Sequence, residues 1–68
     1  MISVELDESN EGLEIYLDAE GVDELISYLT YVKANKESFH LTAGNELQEN
    51  LANESNRGIK HAKLVFLE

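Results

Sequence analysis

Two histidines, His40 and His61, are the side chains in this sequence best suited to chemistry near neutral pH. Each sits in a stretch that alternates apolar and polar residues, Phe39-His40-Leu41-Thr42 and His61-Ala62-Lys63-Leu64. Alternation with a period of two is the signature of a half-buried strand, so each histidine belongs to the side opposite the apolar residues, and pairing of the two strands makes the imidazoles neighbours. Completed by the Glu46 carboxylate, such a pair would suit zinc. On its own it would make a contact that responds to protons. The long polar stretch between the histidines supplies no recognised ligand spacing, however, and the serines carry no nucleophile motif. The carboxylates stand in solvated charge runs rather than in the apolar pockets that tune a catalytic acid. The residues therefore read as a binding surface, with no catalysis, no metal and no cofactor.

A second motif is weaker than it looks. Asp7-Glu-Ser-Asn-Glu-Gly12 through Asp18 places acids first and last and glycine sixth, as a calcium loop does. A calcium loop needs a helix on both sides. Here Ile2, Val4 and Leu6 before it, and Leu13, Ile15 and Leu17 within it, alternate with polar residues instead, so the first eighteen residues read as a β-hairpin turning at 7–12.

The elements that must position these residues follow from the same patterns. Val22, Leu25, Ile26, Leu29 and Val32 form one stripe of a helix predicted over 18–35, with Asp18 as its N-cap, Glu20, Asp23 and Glu24 at the positive end of its dipole, and Asn35 as the residue that stops it. A third strand covers Phe39 and Leu41, residues 43–58 form a long polar connection, and the run 59–67 is the last strand, apolar on both sides near its end and so expected to be central. The predicted fold is α+β, a two-layer β-β-α-β-β sandwich with one helix on a mainly antiparallel four-stranded sheet in the order 1-2-4-3. Ile2, Val4, Leu6, Leu13, Ile15, Leu17, Phe39, Leu41, Ala62, Leu64 and Phe66 are expected to face the helix. The other side of the sheet is then open, and carries Ser3, Glu5, Glu14, Tyr16, His40, Thr42, His61, Lys63, Val65 and Leu67.

Sixty-eight residues are expected to make a single domain. No cysteine is present to form a disulfide. The first residues lack the basic and apolar regions of a signal peptide, and no apolar run has membrane-spanning length, so a cytoplasmic location is expected. The net charge is −9 and unevenly placed: residues 1–32 hold nine acids and no Lys or Arg, whereas residues 33–68 hold five of each sign. That distribution repels nucleic acid and steers a cationic partner toward the N-terminal half.

Taken together, Leu17-Asp18-Ala-Glu-Gly21-Val-Asp-Glu-Leu25-Ile, Phe39-His40-Leu41-Thr42, Gly44-Asn-Glu46-Leu47 and His61-Ala-Lys63-Leu64 resemble immunity protein 32 of bacterial polymorphic toxin systems, over most of the chain from Glu11 onward. Where that family carries an aromatic residue and paired glycines, this chain has Thr42-Ala-Gly44-Asn. The resemblance implies a bacterial protein that binds and neutralises a cognate toxin, with a basic nuclease as the toxin that suits its charge. Glu14, Tyr16, His40, Glu46, His61 and Lys63 are the protein-binding residues expected on the open face and the adjoining loop. Two alternatives stand beside this. His40, Glu46 and His61 could instead form a network that pins the long loop to the sheet, and the chain could be a small structural or regulatory domain that homodimerises through the open sheet face.

Overall fold

In the computed structural model, which describes residues 1–68, the two alternating stretches at the start form an antiparallel hairpin of β1 (Ile2–Leu6) and β2 (Leu13–Leu17), paired from Ile2 opposite Leu17 to Leu6 opposite Leu13. The Asp7 backbone N–H donates to the Gly12 carbonyl at 2.9 Å, and its carboxylate accepts from Ser9 N–H and Ser9 Oγ at 3.0 and 2.6 Å. The acidic 7–12 segment is thus a self-contained turn between strands.

Helix α1 (Ala19–Asn35) starts where expected, with the Asp18 carboxylate accepting from Gly21 N–H at 2.7 Å. Its end lies one residue beyond the expected stop. Lys36 takes the left-handed conformation, φ 53°, and donates its N–H to the Val32 carbonyl, while Asn35 stays helical and donates Nδ2 to the Tyr31 carbonyl at 3.0 Å. The first turn packs directly on the Met1 backbone: a Cβ at Gly21 would overlap the Met1 carbonyl oxygen. Gly21→Ala is therefore expected to destabilise by about 1–3 kcal/mol through displacement of the helix start, although alanine is the better helix former. The midpoint of a thermal unfolding curve checks this.

Strands β3 (Phe39–Thr42) and β5 (His61–Leu64) pair with each other, and the two-residue β4 (Arg57–Gly58) pairs with β1. The architecture is α+β with antiparallel strands, but the strand order is β2-β1-β4 in one sheet and β3-β5 in another rather than 1-2-4-3. The reason lies in the 57–64 segment. Its first part follows β1, with Ile59 N–H donating to the Val4 carbonyl at 2.8 Å, and its second part turns away to β3. Gln48 N–H then takes the Ile2 carbonyl at 2.7 Å, so β1, not the last strand, is the central one.

Ile2, Val4, Leu41 and Leu47 form the buried cluster, with Leu25, Tyr28, Phe39, Ile59, Ala62 and Leu64 packed around it. Tyr28 stacks on Phe39 with ring centroids 4.6 Å apart, and Tyr31 meets the same ring edge-on at 5.7 Å. These contacts hold α1 over β3. Two expectations fail in consequence: Leu13, Ile15 and Leu17 on β2 are 58%, 53% and 37% exposed, and Val22, Ile26 and Leu29 on α1 are 41%, 56% and 49% exposed. The helix is turned so that Gly21, Leu25, Tyr28 and Val32 face the core, and the apolar side of β2 is covered only in part. No helix is long and apolar enough to cross a membrane.

Candidate functional site

The pairing of β3 with β5 places Lys63 directly across from His40, and His61 across from Thr42, so the two histidines meet on the diagonal of one exposed side. Their rings lie parallel with centroids 5.0 Å apart, and His40 Nδ1 stands 2.7 Å from His61 Nε2. One of these nitrogens must donate and the other accept. The expected adjacency of the histidines is therefore present, with the Lys63 ammonium on the same side.

Glu46 does not join them. Its Oε1 accepts from Thr42 N–H at 3.0 Å and Thr42 Oγ1 at 3.4 Å, and the backbone bond in particular holds its carboxyl below the usual range. The same turn is closed by Leu47 N–H to the Thr42 carbonyl at 3.1 Å and by Gly44 at φ 80°, a conformation that suits glycine. Its structural product is Leu47, 2% exposed and fully inside the core. The two histidines and Glu46 thus make no common network, and no group of three metal-ligating side chains is assembled.

Glu14 and Tyr16 form a third group. Tyr16 OH donates to Glu14 Oε1 at 2.7 Å, and that bonded carboxylate, with some burial, holds the phenol above its usual range. Asn56 Nδ2 donates to the same Glu14 oxygen at 2.7 Å and lies 3.1 Å from Glu5 Oε1. Glu5 and Glu14 are direct cross-strand partners, a like-charge arrangement that is unfavourable alone, and the Asn56 amide bridges it.

Glu5 is the residue that sequence reasoning placed wrongly. Expected on an open face, it is 0% exposed, with Ser3 at 2% and Asn56 at 8%. Residues 51–56 lie over it: Glu5 Oε2 accepts from Ala52 N–H at 2.7 Å and Ser3 Oγ at 2.6 Å, and Oε1 accepts from Asn53 N–H at 3.2 Å as well as from Asn56. No Lys or Arg pairs with it. Burial pushes this carboxyl up; the donors, Ser3 Oγ and Ala52 N–H foremost, pull it down further, so it lies below the usual glutamate range. The loop is pinned to the sheet, but by Glu5 rather than by His40, Glu46 and His61. The asparagines at 50, 53 and 56 were the available signal, since a run of amide and backbone donors needs an acceptor to fold against.

The open face is consequently smaller than expected. At β1 it is closed, while His40, His61 and Lys63 on β3 and β5 remain exposed. Electrostatically the N-terminal half is uncompensated: six of its nine acids are exposed, and the ion pairs present are those of the Met1 amino group with Asp18 at 2.7 Å and Glu24 at 3.7 Å. Compared with family models, curated proteins and solved structures, the chain matches none.

Proposed function

We propose that the protein is an immunity protein, of the kind typified by immunity protein 32, which binds and neutralises a cognate bacterial toxin in the cytoplasm without catalysis or a cofactor. The observation that carries this reading is the uncompensated acidic half of the chain, where exposed carboxylates have no lysine or arginine partner. Such a surface accelerates encounter with a basic protein such as a nuclease and disfavours nucleic acid itself. The exposed His40, His61 and Lys63 supply directional hydrogen bonds at which one partner is distinguished from another. Glu14 and Tyr16 add a second polar contact, and Glu46 acts through the turn it closes.

The alternative of a homodimer through the open sheet face has little surface to use, because Ser3 and Glu5 lie under the 51–56 segment.

Binding to a basic nuclease toxin sought among the products of the neighbouring genes tests the proposal. Association should slow steeply as salt is added, and His61→Ala and Lys63→Ala should each weaken the complex about tenfold, about 1.4 kcal/mol, with unchanged thermal stability. Salt-independent association, or variants that bind as wild type, would count against it.

A further inference from the structure

Ten large hydrophobic side chains are exposed, whereas five hydrophobic residues make up the buried core. Six of the ten belong to β2 and α1. Leu13, Ile15 and Leu17 occupy one side of β2, and Val22, Ile26 and Leu29 recur at helical spacing along α1. Between strand and helix runs an apolar groove of about 370 Å³ that reaches down to Ile2, Val4 and Leu41, with Leu13, Ile15 and Leu29 along its course and Lys63 as the sole charged residue in its lining. β2 is also an edge strand, so its far side presents unpaired backbone groups next to this apolar surface.

We propose that this α1–β2 face is the contact between two copies of the chain, with the two α1 helices running antiparallel across a twofold axis near Ile26. This goes beyond toxin binding: it shares with that reading Lys63 at the groove and the acids at the start of α1, and otherwise uses different residues.

Three observations favour a second copy as the occupant. The first is area: six large side chains, each left about half uncovered, expose on the order of 500 Å² of apolar surface, as large as the patches on ordinary monomers become, and with a polar rim this approaches the roughly 800 Å² per partner of a standard interface. The second is the order of charges along the stripe. Asp18, Glu20 and Asp23 stand at its start, and Lys33, four residues after Leu29 on the same side, stands at its end. An antiparallel copy brings each Lys33 to the acidic start of the other helix and opposes the two helix dipoles favourably, which is the self-complementarity that a twofold contact requires. The third is the core itself: Ile2, Val4 and Leu41 lie at the floor of the groove, so a helix seated on it thickens a core that the single chain leaves thin. The charge of −9 on each copy opposes approach at long range, but salt screens it beyond about 8 Å at physiological ionic strength.

Sedimentation equilibrium of the full chain alone, across a wide range of concentration and salt, tests this. A dimer is expected, strengthened by added salt, whereas association with a basic toxin is weakened by it. Ile26→Glu should raise the dissociation constant about 100-fold, as truncation or charging of a central anchor does. Ile26 is more than half exposed, so circular dichroism of this variant should show an unchanged fold. Lys33→Glu should weaken the dimer about tenfold, and adding Asp23→Lys to it should restore most of the loss. A monomer at every concentration would overturn the proposal. So would a dimer indifferent to Ile26→Glu, or one abolished instead by Val65→Asp and Leu67→Asp at the exposed C-terminal stretch. Toxin binding is read separately, with the toxin present, through His61→Ala, a position outside the groove lining.

Discussion

Glu5→Ala should be among the most destabilising substitutions in this protein, lowering stability by about 3 kcal/mol and the melting temperature by more than 10 °C. The carboxylate accepts from Ser3 Oγ, Ala52 N–H, Asn53 N–H and Asn56 Nδ2. Removing it leaves the Ser3, Ala52 and Asn53 donors without this acceptor, while Asn56 Nδ2 keeps Glu14, and the 51–56 segment loses its attachment to β1 through Glu5. Glu5→Gln is not neutral either. Each carboxylate oxygen accepts two donors, so whichever position the new NH₂ takes, it meets at least one backbone or amide N–H that can only donate. In the wild type, hydrogen–deuterium exchange should show the Ala52 and Asn53 amides protected, and in either variant they should exchange at the rate of a free loop.

The same residue sets a pH dependence. Glu5 in the folded protein lies below its ordinary value, because its donors outweigh the effect of burial. A carboxyl depressed on folding contributes stability that is fully present above the unfolded value and is lost as the pH falls through the folded one. Burial is the largest single influence on this carboxyl and raises it, but the four donors together outweigh it. Asp7, Asp18 and Glu46 are depressed as well and add to acid sensitivity. The difference between wild type and Glu5→Gln in urea midpoint isolates the Glu5 part: it should be widest near neutrality and shrink toward strongly acid pH.

Leu47→Ala is the second large effect, about 2–5 kcal/mol, comparable to the whole stability expected of a chain this size. Leu47 is 2% exposed and is one of four residues in the central cluster, so its loss opens a cavity among Ile2, Val4 and Leu41. It also ends the turn that begins at Thr42, and with Gln48 N–H on the Ile2 carbonyl it holds the loop at its first end as Glu5 holds it at the second. The variant should be largely unfolded at physiological temperature by circular dichroism. Leu67→Ala, at a position 88% exposed, should leave stability within about 0.5 kcal/mol of wild type.

Local features were readable in the sequence because each depends on a few neighbouring residues. Asp18 caps the helix, the 7–12 segment turns a hairpin, and the alternation around His40 and His61 brings two imidazoles onto one exposed side. What alternation does not carry is which side of a strand another element covers. Leu13, Ile15 and Leu17 share a side, as their spacing requires, but Tyr28 and Tyr31 pack on Phe39 and the helix covers that side of β2 only in part. Glu5 was misplaced for the converse reason. A carboxylate in a strand is ordinarily on the wet side, and its burial depends on donors supplied from the 52–56 segment, some fifty residues further along the chain. Of the six binding residues expected, His40, His61 and Lys63 share one surface and Glu14 and Tyr16 share another. Glu46, whose short spacing to Thr42 signals a turn as readily as a ligand, is spent on closing that turn.

The proposed toxin neutralisation is tested most directly in cells, by seeking a toxin gene beside this one and expressing its product with and without the present protein. Growth restored by the wild type, a complex of the two proteins recovered from the lysate, and protection lost in the His61→Ala/Lys63→Ala double variant are the expected results. Growth arrest that persists while the protein accumulates in folded, soluble form would contradict the proposed function.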